Sequence, residues 1–126
     1  MLACLTFGMR AAEHYASAPP DWNRPVEPFR IAGSLYYVGA SGVSSFLIAT
    51  RAGHILIDTG FRETVPLLEA NLARLGFRMD DIRIVLASHA HYDHAGGVAA
   101  VKARSHARVL LSPVEAPLFA RGGKGD

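Results

Sequence analysis

A series of short apolar runs separated by turn residues constrains the fold of this chain most strongly. Three such runs, rich in β-branched and aromatic residues, follow one another closely: Ser34–Val38, Val43–Thr50 and His54–Asp58. The connections between them are short and contain glycine, which favours an antiparallel meander. The third run is almost entirely apolar, which predicts a strand that is covered on both faces or nearly so.

After the third run, helix signals alternate with strand signals. A leucine stripe at spacings of four and three residues predicts a helix over about Thr64–Leu75. The later predicted elements are a strand Ile82–Ser88, a helix over about Ala95–Arg104, a strand Arg108–Leu111 and a helix that begins with a Ser112–Glu115 capping box. Hairpin strands followed by strand–helix alternation predict an α/β fold with a mixed sheet.

Composition excludes several classes of protein. Half of the 126 residues are apolar and 19% are charged, which excludes a disordered or collagen-like chain. The net charge of +2 gives no indication of a nucleic-acid partner. The single cysteine, Cys4, excludes an internal disulfide and a cysteine-rich zinc site. No apolar run approaches the roughly 18 residues that a membrane span requires, so no membrane partner is expected.

The first 25 residues are expected to form an N-terminal arm, and residues 26–126 the domain itself. The small-x-small pattern of Ala16–Ala18 is typical of a signal-peptide cleavage site, so the arm is interpreted either as the remnant of a signal peptide or as a fraying terminus. Several prolines exclude a helix from the end of this arm. Trp22 and Phe29 are expected to attach it to the domain by burial.

Four side chains that can bind metal follow the predicted strand Ile82–Ser88 within six residues: His89, His91, Asp93 and His94. Neutral imidazoles and a carboxylate are good ligands for Zn²⁺. The spacing suggests one ion on His89 and His91 and a second on Asp93 and His94, roughly 3.5–4 Å away. Such a pair activates water near neutral pH, which predicts hydrolysis of a carbonyl or phosphoryl centre.

These four side chains form the pattern His-x-His-x-Asp-His. This pattern, followed by Ala95-Gly96-Gly97, resembles the signature of the metallo-β-lactamase superfamily. Ile57-Asp58-Thr59-Gly60 resembles the strand-ending aspartate motif of the same superfamily. Further stretches resemble the third subclass of class B β-lactamases: Asp21-Trp22, Pro28 to Ile31, Leu35 to Gly39, Ser44 to Ile48, Leu111 to Pro113 and Arg121 to Asp126. His94 and an intact His89 agree with that subclass.

The resemblance implies a four-layer αββα sandwich and a zinc-dependent hydrolase with two zinc ions. A zinc-bound hydroxide, oriented by Asp93 as the catalytic residue, would open the ring of a β-lactam antibiotic. The resemblance also implies antibiotic resistance as the role and a periplasmic or secreted location. Asp58 is interpreted either as a residue that orients a zinc ligand or its backbone, or as a turn or helix-capping aspartate.

Members of the superfamily are about twice as long, and their second half supplies one further histidine for each zinc. The other histidines of this chain, His14, His54 and His106, match no ligand position and are expected to be ordinary surface residues. The chain is therefore interpreted as a truncated N-terminal half, inactive in isolation, with helices on one sheet face and an exposed apolar face opposite. Three alternatives remain open: a piece of a thiolesterase of the glyoxalase II type, a piece of a lactonase, or a non-catalytic metal-binding fragment.

Overall fold

In the computed structural model, which describes residues 19–122, six strands form one mixed sheet in the order in which they occur in the chain. The strands are β1 (Phe29–Ala32), β2 (Leu35–Tyr37), β3 (Phe46–Ile48), β4 (His54–Ile57), β5 (Ile82–Leu86) and β6 (Arg108–Leu110). The first four pair antiparallel, and β4, β5 and β6 pair parallel. The predicted α/β class with a mixed sheet is confirmed.

Helices fill the two parallel crossovers and follow the last strand. They are α1 (Val65–Arg74), α2 (Tyr92–Ala95), α3 (Val98–Ser105) and α4 (Ala116–Ala120), with short 3-10 turns at Arg62–Thr64 and Met79–Asp81. The leucine stripe correctly predicted α1, in which Leu68 and Leu72 are fully buried. None of the helices within residues 19–122 is long and apolar enough to cross a membrane.

One face of the sheet forms the main core. Leu47, Leu56 and Val85 are cross-strand neighbours on β3, β4 and β5, and all three are fully buried. They pack in one cluster with side chains of α1 and α3, among them Leu68 and Val101. Burial of these side chains holds the helices against the sheet.

The opposite face carries a second apolar row made of Tyr37, Phe46, Ile57, Leu86 and Leu110, which are neighbours across five strands. Neither hydrophobic cluster in the described part of the chain includes any of these residues. The expected apolar face without helices is therefore present. The third run is fully covered on the face of Leu56 and partly covered on this side, where its two isoleucines are half-buried.

The predicted helix 95–104 is interrupted, because the chain forms α2 and α3 with Gly96 and Gly97 at the junction. Gly97 donates its backbone N–H to the carbonyl of Gly60 at 3.0 Å. A Cβ at Gly97 would lie only 2.7 Å from a methyl group of Val65, so the junction packs more closely than any other residue allows.

The prediction that Trp22 and Phe29 attach the arm to the domain by burial is wrong. Trp22 and Phe29 are 43% and 53% exposed, so they do not attach the arm by burial. Phe29 lies in β1, a strand that the sequence analysis did not predict, where its ring stacks on Tyr37 at 5.5 Å. Outside the described residues lie the predicted signal remnant at Ala16–Ala18, Cys4, His14 and residues 123–126. The boundary between arm and domain stays a prediction.

We expect Leu56→Ala to lower the free energy of unfolding by about 2–5 kcal/mol, because it empties a fully buried site. The matched control is Leu86→Ala on the opposite face, where the side chain is 40% exposed and the loss should be about 1 kcal/mol or less. Urea unfolding followed by circular dichroism measures both. Equal losses would show that the two faces are equally covered.

Candidate metal centre

The candidate ligands lie where the parallel strands end. The loop that follows β5 carries His89 and His91, and α2 carries Asp93 and His94. Asp58 follows the neighbouring strand β4 and donates its backbone N–H to the carbonyl of Leu86 at 3.0 Å. Parallel pairing therefore places Asp58 directly beside the loop that carries the histidines, at the edge of the sheet where α/β proteins bind ligands.

Asp58 connects the two strand ends through its side chain. Asp58 is 7% exposed. Its backbone adopts a left-handed conformation with φ of 58°, which aspartate tolerates better than most residues. One carboxylate oxygen accepts the backbone N–H of Ser88 at 2.7 Å. The other accepts the Ser88 hydroxyl at 2.7 Å and lies 2.8 Å from His94 Nδ1. The carboxylate contacts the ligand loop, as a residue that orients ligands would.

The hydrogen-bond partners of His89 and His94 determine which ring nitrogen carries the proton. The Ser88 hydroxyl has one hydrogen, which it donates to Asp58, so towards His89 Nδ1 at 2.9 Å it can only accept. His89 therefore carries its proton on Nδ1. His94 likewise donates from Nδ1, because a carboxylate only accepts. In the neutral form of each ring, Nε2 then holds the lone pair that a metal needs.

The imidazoles form a compact group. The ring centroid of His89 lies 4.6 Å from that of His91 and 4.1 Å from that of His94. The Asp93 carboxylate lies 3.4 Å from His94 Nε2. Two ligands of one tetrahedral zinc are roughly 3.3 Å apart, given zinc–ligand bonds of about 2.0–2.2 Å. The donor set thus fits zinc, although within residues 19–122 no three His, Cys, Asp or Glu side chains surround one point as ligands of a single ion.

The two other described histidines belong to different surroundings. His54 begins β4, accepts a hydrogen bond from the Thr50 backbone at 3.2 Å, and packs edge-on against Phe77 at 5.1 Å. His106 ends α3 in a left-handed conformation with φ of 57°. Each residue has a local structural role, which agrees with their exclusion from the predicted ligands.

The sequence analysis missed three residues that hold the loop in place. The Ser88 hydroxyl bridges the Asp58 carboxylate and His89 Nδ1. Thr59 donates its backbone N–H to the carbonyl of His94 at 2.8 Å. Glu115 accepts the backbone N–H of Ala90 at 2.8 Å. The position of Ser88 beside the first histidine was an available signal. Glu115 lies 25 residues away in sequence, and no spacing rule links it to the loop.

Comparison with protein-family models matches residues 38–126 to the family described as "Metallo-beta-lactamase superfamily". Among solved structures, a metallo-beta-lactamase of Cronobacter sakazakii is 50% identical with a TM-score of 0.80, and the match covers 83% of this chain and 40% of that one. FEZ-1 from Legionella gormanii is 41% identical with a TM-score of 0.81, covering 82% and 40%. LRA-12, a class B3 di-zinc enzyme from an Alaskan soil metagenome, is 36% identical with a TM-score of 0.86, covering 90% and 43%.

Among curated proteins, an N-acyl homoserine lactonase of Bacillus thuringiensis is 31% identical over a match that covers 41% of this chain and 30% of the lactonase. The chain thus spans about 40% of the length of the solved relatives and about 30% of the length of this curated relative.

We expect Asp58→Asn to disturb the tautomer of His94. Asparagine tolerates the left-handed backbone, but its amide offers one acceptor oxygen where the carboxylate meets three donors. Stability should fall by about 1–3 kcal/mol. Two-bond ¹H–¹⁵N correlation spectra of the imidazole rings should show His94 protonated on Nδ1 in the wild type and a tautomer mixture in the variant.

The control for this variant is Asp80→Asn, which changes an exposed carboxylate paired with Arg78 at 3.0 Å. It should leave the His94 signals unchanged. Identical His94 spectra in the wild type and in Asp58→Asn would show that Asp58 does not orient the ring.

Proposed function

Because the chain belongs to the metallo-β-lactamase superfamily, we propose that it is part of a hydrolase that opens the ring of β-lactam antibiotics. In this proposal the hydrolase binds two zinc ions, and the chain supplies two of the ligands of each ion. Membership of the superfamily supports a metal-dependent hydrolase. The substrate, the ligands and the role of each residue belong to the proposal. The observation that carries it is the shared contact of one buried carboxylate, Asp58, with Ser88 and His94. In the proposal, this contact orients the His94 imidazole before any metal binds.

His89 and His91 would hold one zinc, and Asp93 and His94 the second. When bound, zinc would polarise the substrate carbonyl and lower the pKa of coordinated water to about 7. A zinc ligand must offer a nitrogen lone pair. The Nδ1 atoms of His89 and His94 are engaged by Ser88 and Asp58, which leaves the Nε2 lone pair of each neutral ring for the metal. The 3.4 Å between the Asp93 carboxylate and His94 Nε2 supports the pairing of those two residues.

The remaining residues would position the reaction. Asp93 is the one carboxylate among the four ligands, and its side chain is about a third exposed (31%), so it can also accept a hydrogen bond from the attacking water and orient it. Asp58 would hold His94 in a fixed direction through the 2.8 Å contact to Nδ1. A fixed first ligand shell matters because catalysis requires reacting groups to be placed within about half an ångström.

Two comparisons favour a β-lactam over other substrates. Relatives called metallo-beta-lactamases are 36–50% identical across four-fifths or more of this chain. The lactonase relative is 31% identical over a match that covers 41% of the chain, which makes a lactone the second candidate. A periplasmic or secreted location and a role in antibiotic resistance are parts of the same proposal and rest on the same likeness.

Zinc binding tests the ligand assignment. We expect the 126-residue chain to bind zinc weakly, because two protein ligands per ion hold a metal less tightly than three. Binding measured by isothermal titration calorimetry should disappear in a His89→Ala/His91→Ala double variant. A His54→Ala/His106→Ala double variant removes the same number of imidazoles elsewhere and should bind as the wild type does. Tight binding of two zinc ions per monomer would contradict the ligand count.

Activity tests the substrate. We expect no measurable hydrolysis of a chromogenic cephalosporin by the chain alone with added zinc, since the described residues hold at most two of the candidate ligands for each ion. Fusion to the remaining C-terminal part of LRA-12, which is a di-zinc enzyme, should restore hydrolysis, and the His89→Ala/His91→Ala change should abolish it again.

The fusion protein is assayed in parallel with an N-acyl homoserine lactone and a glutathione thioester. Preference for either of these would replace the β-lactam proposal by the lactonase or thiolesterase alternative. Turnover by the isolated chain that a chelator stops would show that the catalytic site is built from other residues. A fusion protein inactive on all three substrates would favour a non-catalytic metal-binding role.

A further inference from the structure

We propose that Glu115 is a positioning residue for the metal centre, and this inference rests on the proposed function. Its carboxylate accepts the backbone N–H of Ala90 at 2.8 Å. Ala90 lies between His89 and His91, the two candidate ligands of the first zinc. Glu115 therefore acts on the ligand pair through the His89–Ala90 peptide.

The sheet brings Glu115 to this position. β6 pairs parallel with β5, and the backbone N–H of Ala87 donates to the carbonyl of Leu110 at 2.9 Å. The segments that follow the two strands therefore begin side by side. The Ser112 carbonyl then accepts the backbone N–H of Glu115 at 3.1 Å, which turns the chain into α4. Phe119 of α4 packs against the main core and fixes the helix that directly follows Glu115.

The contact is not the one that local sequence predicts. In the predicted capping box, the carboxylate of Glu115 would return to the backbone N–H of Ser112. Only half of the box forms, since the Ser112 hydroxyl accepts the Glu115 N–H at 3.3 Å while the carboxylate reaches Ala90 instead. α4 accordingly begins at Ala116 and not at Pro113. The acidic group is thus directed towards the ligand loop.

The energetic reason lies in the burial of Ala90. This residue is 8% exposed, and a buried backbone N–H needs a partner. A carboxylate is a stronger acceptor than a neutral oxygen by roughly a factor of two. The bond fixes the peptide plane before Ala90, which helps to set the direction in which His89 and His91 project, with ring centroids 4.6 Å apart. Without it, this peptide is free to turn towards water.

The test compares Glu115→Ala with Glu115→Gln in the 126-residue chain. The alanine variant removes the acceptor, so hydrogen exchange of the Ala90 amide should accelerate at least about tenfold. The imidazole ¹H–¹⁵N signals of His89 and His91 should shift, and zinc affinity measured against a competing chelator should fall about tenfold. The glutamine variant keeps an acceptor oxygen and should retain most of the amide protection and zinc affinity.

The control is Glu27→Ala, which removes the same charge from a side chain that is 74% exposed and paired with Arg74. It should change neither the Ala90 amide nor zinc affinity. Unchanged Ala90 exchange and unchanged His89 and His91 signals in Glu115→Ala would overturn the proposal, as would equal loss of zinc affinity in Glu27→Ala. If the wild type binds no zinc, the proposed function fails, and the metal-free amide and imidazole measurements still decide the role of Glu115.

Discussion

The buried carboxylate of Asp58 is the interaction on which the arrangement of the candidate site depends. It receives two hydrogen bonds from Ser88 and contacts His94 Nδ1 at 2.8 Å, so one side chain fixes both the beginning of the ligand loop and the helix that follows it. Because the carboxylate only accepts, it also determines which nitrogen of His94 carries the proton. Removing it leaves three partly buried donors without their acceptor, which lowers stability.

The sheet supplies the geometry that this carboxylate requires. β4 and β5 are parallel, so Asp58 and the histidine loop emerge at the same edge, and the segment after β6 brings Glu115 to that loop as well. Two carboxylates from different strand ends thus hold the segment between Ser88 and His94. The helices pack on one face only, and the apolar row on the other face is where a further layer would be expected in the αββα sandwich that the family likeness implies.

Much of the fold could be predicted from local signals, because hydrophobic periodicity and glycine turns act over a few residues. The spacing of Leu68 and Leu72 predicted α1, and the apolar run at Ile82–Ser88 predicted β5. The predictions failed where distant contacts decide. Gly97 interrupts the predicted helix because it must pack against Val65, and Phe29 is exposed because β1 lies at the edge of the sheet.

The sequence by itself determined which residues are the candidates for the chemistry: three histidines and an aspartate at fixed offsets after an apolar strand, with Asp58 at the end of the strand before. Only the tertiary structure decided how those side chains are held. The bond from Ser88 to Asp58 spans 30 residues, and the bond from Ala90 to Glu115 spans 25. Such contacts depend on strand pairing, since a hydrogen bond forms only where folding brings a donor within about 3 Å of its acceptor.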